Sequence, residues 1–282
     1  MSKNVMITGA STGIGFSCSK VFVNNGFKVF GSVRKAADGE KVQKELGENF
    51  TPIIFDVTDQ EAVIQGAKQV QEIIGNEGLA LLINNAGIAV SGPLALTPLD
   101  DYRKQFEVNV FGLIAVTQAF LPLLGAMIPA PHSPGKIINI SSASGQLGFP
   151  FLSPYVGSKY AVEGISQSLR RELMMFGIDV IIIGPGAVKT PIWEKVEEPS
   201  GEVLSSVYGE MISKFTRQFV KESETALDVD VLAKNIFKVY NTKKPKSRYA
   251  FMTQKFSKWI VPRYLLSDRA LDGMIKKIFK IK

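Results

Sequence analysis

Short apolar runs recur along this 282-residue chain with helical stretches between them, and that alternation constrains its fold more than any other feature. The runs are Val5 to Thr8, Lys28 to Val33, Thr51 to Phe55, Ala80 to Asn84, Lys136 to Ile140 and Asp179 to Ile183. They are short and mostly apolar on both faces, so each reads as a strand that must be covered on both sides. The intervening stretches, near Ile14 to Asn25, Gly39 to Leu46, Asp59 to Ile74, Leu99 to Met127 and Ser153 to Phe176, have the length and pattern of helices. Repeated βαβ units of this kind predict an α/β fold, a doubly wound and mostly parallel sheet with helices on both faces and right-handed crossovers.

After Ile183 the pattern changes. Residues 190–224 are polar with helical stretches and no clear strand, and an insertion at this place commonly lies over a ligand site. A helix from Asp228 to Tyr240 and a short strand from Arg248 to Met252 complete the sheet, so residues 1–252 are read as one body and 253–282 as an extension. One α/β unit with one large core accommodates this length. The net charge of +7 is uneven: residues 243–282 carry twelve Lys or Arg against Asp268 and Asp272. A basic tail on a mildly acidic body implies an anionic contact surface, or simply solvated charge. No nucleic-acid partner is expected. Cys18 stands alone, which excludes an internal disulfide and suggests a reducing cytoplasm. One histidine and one cysteine make a zinc site improbable, and no metal is expected. Val5 to Ile7 follow Met1 to Asn4 without the pattern of a signal peptide. The uncharged stretch Val108 to Gly135 contains Asn109, Thr117, Gln118, Pro122, Pro129 and Pro131, which suits a helix buried in protein plus a loop better than a membrane span.

The first strand runs into Thr8-Gly9-Ala10-Ser11-Thr12-Gly13-Ile14-Gly15, three glycines at a strand-to-helix turn. Gly9 permits the sharp turn, Gly13 lets backbone approach a pyrophosphate, and Gly15 lets the helix pack closely on the sheet. Ser11, Thr12 and Ile14 bring amides of the helix N-terminus toward the phosphates. The second strand ends Ser32-Val33-Arg34-Lys35, where NAD enzymes usually carry a carboxylate for the ribose 2′-hydroxyl. With Ser11, the cations Arg34 and Lys35 suit a 2′-phosphate, so NADP(H) is preferred over NAD(H); the alternative is surface charge with NAD bound anyway.

Tyr155 and Lys159 stand four apart in a predicted helix and share a face. A phenol titrating near about 10 is a poor base at neutral pH, and an adjacent ammonium is expected to lower that value. Ser142, at the end of a predicted strand, is placed to hydrogen-bond a substrate oxygen. With these residues, Thr8 to Gly15, Asp56, Asn84-Asn85-Ala86-Gly87, Asn109, Ile140-Ser141-Ser142, Tyr155-x-x-Ser158-Lys159 and Pro185-Gly186 with Thr190 agree in order and spacing. Over residues 3–192 the chain resembles the short-chain dehydrogenase/reductase family, whose fold is of the Rossmann type.

The resemblance implies an oxidoreductase interconverting a secondary alcohol and a ketone, or a primary alcohol and an aldehyde. It implies Tyr155 as acid/base, Ser142 as donor to the substrate oxygen, Lys159 as the residue that tunes Tyr155 and binds the ribose, and Asn109 as holder of a proton-relay water. Asp56 and Val57 fall at the adenine, Asn85, Ala86 and Gly87 along the cofactor, and Pro185, Gly186, Val188 and Thr190 at the nicotinamide end. Ser142 to Phe151 and the Val33-Arg34-Lys35 ending most resemble the retinol and 17β-hydroxysteroid dehydrogenase branch, which acts on bulky lipophilic alcohols and ketones. Gln146, Leu147, Phe149 and Trp193 would then line the substrate pocket, with Tyr208, Met211 and Phe215 as further apolar candidates. A 3-ketoacyl-type reductase acting on a carrier-bound thioester and a non-catalytic NADP-binding sensor are the alternatives; a sensor would typically lose the tyrosine or the lysine. The family also implies a homodimer or homotetramer. From Asp268 onward Leu271, Met274, Ile275, Ile278 and Phe279 share one helical face beside several lysines. Such a helix docks on protein, the reading favoured here, or contacts a membrane peripherally.

Overall fold

The structure is a computed structural model that describes residues 3–191 and 201–279, without the side chains of 219–224 and 279. Seven parallel strands form one sheet in the order β3-β2-β1-β4-β5-β6-β7. They are β1 (Asn4–Ile7), β2 (Lys28–Val33), β3 (Phe50–Ile54), β4 (Leu81–Asn84), β5 (Lys136–Ile140), β6 (Asp179–Pro185) and β7 (Arg248–Phe251). The strand order reverses between β1 and β4. At such a point the loops leaving the C-terminal ends diverge and open a crevice.

The helices are α1 (Gly13–Asn24), α2 (Ala36–Leu46), α3 (Gln60–Ile74), α4 (Leu99–Phe106), α5 (Gly112–Phe120), α6 (Ser153–Glu172), α7 (Gly201–Ser205), α8 (Gly209–Glu224), α9 (Val229–Tyr240) and α10 (Asp268–Phe279). Val5, Ile7, Val29, Ile138 and Ile181 face α1 and α9, where Cys18, Phe22, Leu232 and Ile236 complete one core. Met6, Phe30, Leu82, Ile137 and Val180 face the other way, onto Val63 and Val70 of α3 and Val116 and Phe120 of α5. Alternate strand residues thus feed two cores, as strands apolar on both faces require. The expected strand and helix positions are reproduced within a few residues except between Leu99 and Met127. There the single expected helix is α4, a π-turn over Glu107–Phe111 and α5, which ends at Phe120.

A ladder of buried polar side chains crosses the second core. Asn84 Nδ2 donates to Thr117 Oγ1 and to Asn139 Oδ1, both at 2.9 Å. Asn139 Nδ2 donates to Ser166 Oγ at 2.8 Å. The two hydroxyls in turn donate to carbonyls of their own helices, Leu113 and Val162. Strands β4 and β5 are thereby keyed to α5 and α6, because any slip would leave these groups buried without partners.

After β7 the chain forms a π-helical stretch, Phe256–Leu265, and then α10. Trp259 is buried with Leu147 and Ala250, and Ile260 and Leu271 pack against that cluster. Phe256, Tyr264, Leu265 and Ile278 remain exposed. The extension therefore docks on the body through one side and leaves apolar groups in solvent on the other. No helix among the described residues is long and apolar enough to cross a membrane.

Asn139→Ala removes the centre of the ladder and leaves one Asn84 N–H without its acceptor, so a loss of about 2–3 kcal/mol is expected. Urea denaturation checks it: the midpoint should fall with the slope unchanged.

Candidate active site

The glycine turn sits at the C-terminal end of β1. Gly9 and Gly13 have φ of 66° and 58°, values that suit a residue without Cβ. Gly15 needs its hydrogen for a different reason: a Cβ there would fall 2.2 Å from the Gly9 carbonyl oxygen and 2.5 Å from Asn85 Nδ2. Thr8 Oγ1 accepts from the backbone N–H groups of Asn85 and Ala86 at 2.9 and 3.0 Å. Asn85 Nδ2 donates back to the carbonyls of Thr8 and Gly9 at 2.9 and 3.2 Å. The β1 and β4 exits are thus tied together, with Ala86 against Gly9 of the turn. Gly9 N donates to Ser32 Oγ at 3.1 Å, which anchors the turn to β2. Arg34 and Lys35 lie exposed just past the end of β2. Asp56 follows β3 and accepts from Thr58 N and Oγ1 at 3.0 and 2.9 Å, while Val57 is buried against Gly112. Pro185 and Gly186 leave β6, Val188 bridges to Leu227, and Thr190 approaches Gly13 across the crevice.

The residues fit a dinucleotide: a strand-to-helix turn with exposed amides, glycines where a Cβ would block approach, and two cations at the β2 end.

Ser142, Tyr155 and Lys159 converge beyond β5, and all three are buried. Tyr155 is hydrogen-bonded to the Ser142 side chain. Ser142 Oγ also accepts from Ser144 N at 3.0 Å, which fixes its rotamer. Lys159 Nζ donates to the Ile140 carbonyl at 2.9 Å and stands 5.7 Å from the Tyr155 ring centroid. The electrostatic expectation needs correction. Burial pushes the Tyr155 phenol up from its ordinary value, and the hydrogen bond with Ser142 opposes this only in part. Lys159 is pushed down to about 8 by burial, with Glu163 acting the other way. In so enclosed a place desolvation outweighs the neighbouring charge. The phenol is thus held protonated beside an ammonium that titrates at about 8.

Asn109 lies in the π-turn. Its Oδ1 accepts from Ile88 N at 2.9 Å, and its Nδ2 donates to Ile88 O and Ser158 Oγ, both at 3.1 Å. Gln105, one turn earlier, accepts from Val90 N at 2.7 Å and donates to Ile88 O at 2.9 Å. Together these amides clamp the loop after Asn85-Ala86-Gly87 onto the helix that carries Tyr155. Gln105 was not expected from the sequence; its spacing of four from Asn109 was the available signal. The π-turn, a feature frequent at functional sites, has no such signal.

Among the pocket candidates, Phe149 is exposed, Leu147 is buried against Ala250 and Trp259, and Gln146 Nε2 points to Glu163 at 3.4 Å. Phe151 makes edge contacts with Tyr208 and Phe215 of the insertion, at 6.5 and 5.7 Å between centroids. Trp193 lies outside the described residues.

A family model described as short chain dehydrogenase matches residues 3–201. The chain is 38% identical over 275 residues to "NADPH-dependent 3-dehydrocapnine reductase" of Ornithobacterium rhinotracheale, covering 98% of this chain and 96% of that protein. It is 29% identical over 300 residues to "Estradiol 17-beta-dehydrogenase 2" of Rattus norvegicus, with 99% and 76% covered. A crystal structure of a short-chain dehydrogenase from Streptomyces avermitilis superposes with a TM-score of 0.79 at 29% identity, covering 99% of this chain and 98% of that one. With fold, glycine turn and relatives in agreement, the chain belongs to the short-chain dehydrogenase family, on its retinol and hydroxysteroid dehydrogenase-like branch, and is an NAD(P)-dependent oxidoreductase.

Proposed function

We propose that the protein is an NADP(H)-dependent reductase that converts the carbonyl of a lipophilic substrate into an alcohol, with Tyr155 as proton donor. The observation that carries this is the buried Tyr155, hydrogen-bonded to Ser142 beyond the end of β5 and kept protonated by burial. A nicotinamide held in the crevice would supply the hydride for the carbonyl carbon. Ser142 Oγ holds the substrate oxygen, and Tyr155 delivers the phenolic proton to it. Lys159 holds positive charge beside the phenol and would hydrogen-bond the ribose. Asn109 steadies the loop at Ile88 and keeps a water in the path that returns the proton to Tyr155. The reverse reaction follows the same steps backwards.

Arg34 and Lys35 would hold the 2′-phosphate by charge-assisted hydrogen bonds, with Ser11 beside them, and Asp56 and Val57 would border the adenine. A lipophilic substrate is supported by the aromatic contacts of Phe151 with Tyr208 and Phe215 and by exposed Phe149. Steroids, retinoids and fatty-acyl type compounds are the classes to test, together with 3-dehydrocapnine, which is named for the relative at 38% identity. The protein acts in the cytoplasm as a homodimer or homotetramer. Its C-terminal extension rests peripherally on anionic lipid, a reading supported by exposed Phe256, Tyr264, Leu265 and Ile278 interspersed with Lys255, Arg263, Lys276 and Lys277.

NADPH oxidation by the purified protein over these substrates and acyl thioesters identifies the substrate, and Tyr155→Phe should lower turnover about 100-fold or more while NADPH still binds. Tight binding without turnover of any substrate would count for the sensor instead. Arg34→Ala with Lys35→Ala should raise KM for NADPH about tenfold or more and leave NADH use nearly unchanged, as expected for lost charge-assisted bonds. Co-sedimentation should retain the protein on vesicles containing phosphatidylglycerol and not on pure phosphatidylcholine, with binding lost in high salt.

A further inference from the structure

A charged cluster outside the proposed catalytic set lies behind Ser142. Glu163 is one turn beyond Lys159 on α6 and only 4% exposed. Its carboxylate accepts from Arg248 Nε at 3.1 and 2.9 Å. Arg248 opens β7 and also donates from Nη2 to the Ser142 carbonyl at 3.3 Å. Its guanidinium carbon stands 4.9 Å from the ring centroid of Trp259, which is 2% exposed and belongs to the C-terminal extension. One connected set therefore runs from the extension, through a buried ion pair, to the main chain of Ser142 and the helix turn of Lys159.

Two glycines make room for it. A Cβ at Gly184 would fall 2.3 Å from Arg248 Nη2. A Cβ at Gly145 would fall 2.9 Å from Glu163 Cγ and 3.0 Å from the Lys159 carbonyl. Stability alone is a poor reason for such an arrangement, because a buried ion pair is often no better than apolar side chains of the same volume. What the pair does supply is a fixed negative charge near Lys159 and a fixed donor on Ser142.

We propose that Glu163 and Arg248 are a positioning pair that holds the Lys159 ammonium charged and the Ser142 main chain in place, with Trp259 making the C-terminal extension the third member. The roles of Ser142, Tyr155 and Lys159 are those of the preceding reading, on which this rests. Among the described residues, the charged and titratable groups around Lys159 are Tyr155 and Glu163 from α6 and, through Glu163, Arg248 from β7. The end of β5 contributes the Ile140 carbonyl and the neutral Ser142, and the π-turn and α4 contribute the neutral amides of Asn109 and Gln105. Burial pulls Lys159 down and the Glu163 carboxylate holds it up. Without that carboxylate, Lys159 loses its proton at lower pH.

The test is an NMR titration of lysine Cε in the purified full-length protein, where the signal titrating near 8 is assigned by its loss in Lys159→Arg. This readout needs no substrate, so it separates failure of the pair from failure of the reductase reading, which Tyr155→Phe addresses. In Glu163→Gln the Lys159 titration should move down by at least half a pH unit, with the alkaline limb of kcat moving alongside it. In Gly184→Ala, which displaces the guanidinium and keeps the carboxylate, the titration should move up; this variant carries the test if Glu163→Gln does not fold. Trp259→Leu should lower kcat at least fivefold with KM for NADPH within twofold, and Trp259→Phe should restore most of it. A Lys159 titration that stays put in the folded variants overturns the electrostatic role. A wild-type kcat in Trp259→Leu overturns the part given to the extension.

Discussion

Parallel strands cannot be joined by tight hairpins, and here all seven run the same way. Every strand must hand the chain to a crossover at its C-terminal end, so the exits of β1 to β6 collect on one edge of the sheet. The glycine turn, Arg34 and Lys35, Asp56, Asn85 to Gly87, Ser142 and the segment after Pro185 all lie at such exits. Thr8 and Asn85 become neighbours at the reversal between β1 and β4, and Gly13 meets Thr190 from the segment after β6. The site follows from that constraint, and the cores on both faces are what make the constraint rigid.

Within the frame, buried amides and hydroxyls do the fine alignment. Apolar cores specify volume and leave small shifts cheap, whereas hydrogen-bonded amides tolerate few. Asn84, Asn139, Thr117 and Ser166 key the central strands to α5 and α6. Gln105 and Asn109 clamp the loop at Ile88 to Ser158 on the helix of Tyr155. The same enclosure reverses the electrostatic expectation for Tyr155: a neighbouring ammonium favours phenolate, yet taking both groups out of water favours their neutral forms, and the second effect is larger. Enclosure also gives Glu163 its reach, since a charge that water does not screen acts on its neighbour across a helix turn.

Periodicity, glycine spacing and the order of motifs determined much of this protein. The strand positions, the cofactor turn, the absence of a carboxylate after β2 and the pairing of Tyr155 with Lys159 are all local patterns, carried by a few adjacent residues or by one helical turn. The π-turn at Glu107–Phe111 left no such trace, because its extra residue is accommodated by packing against Ile88 and Ser158. The sign of the shift at Tyr155 also escaped a sequence reading, since burial is a property of the assembled core. So did the meeting of Glu163, Arg248 and Trp259, which come from a helix, an edge strand and the C-terminal extension. Their contact exists only once the sheet is assembled and the extension has seated on it, and no spacing along the chain encodes a distance across the fold.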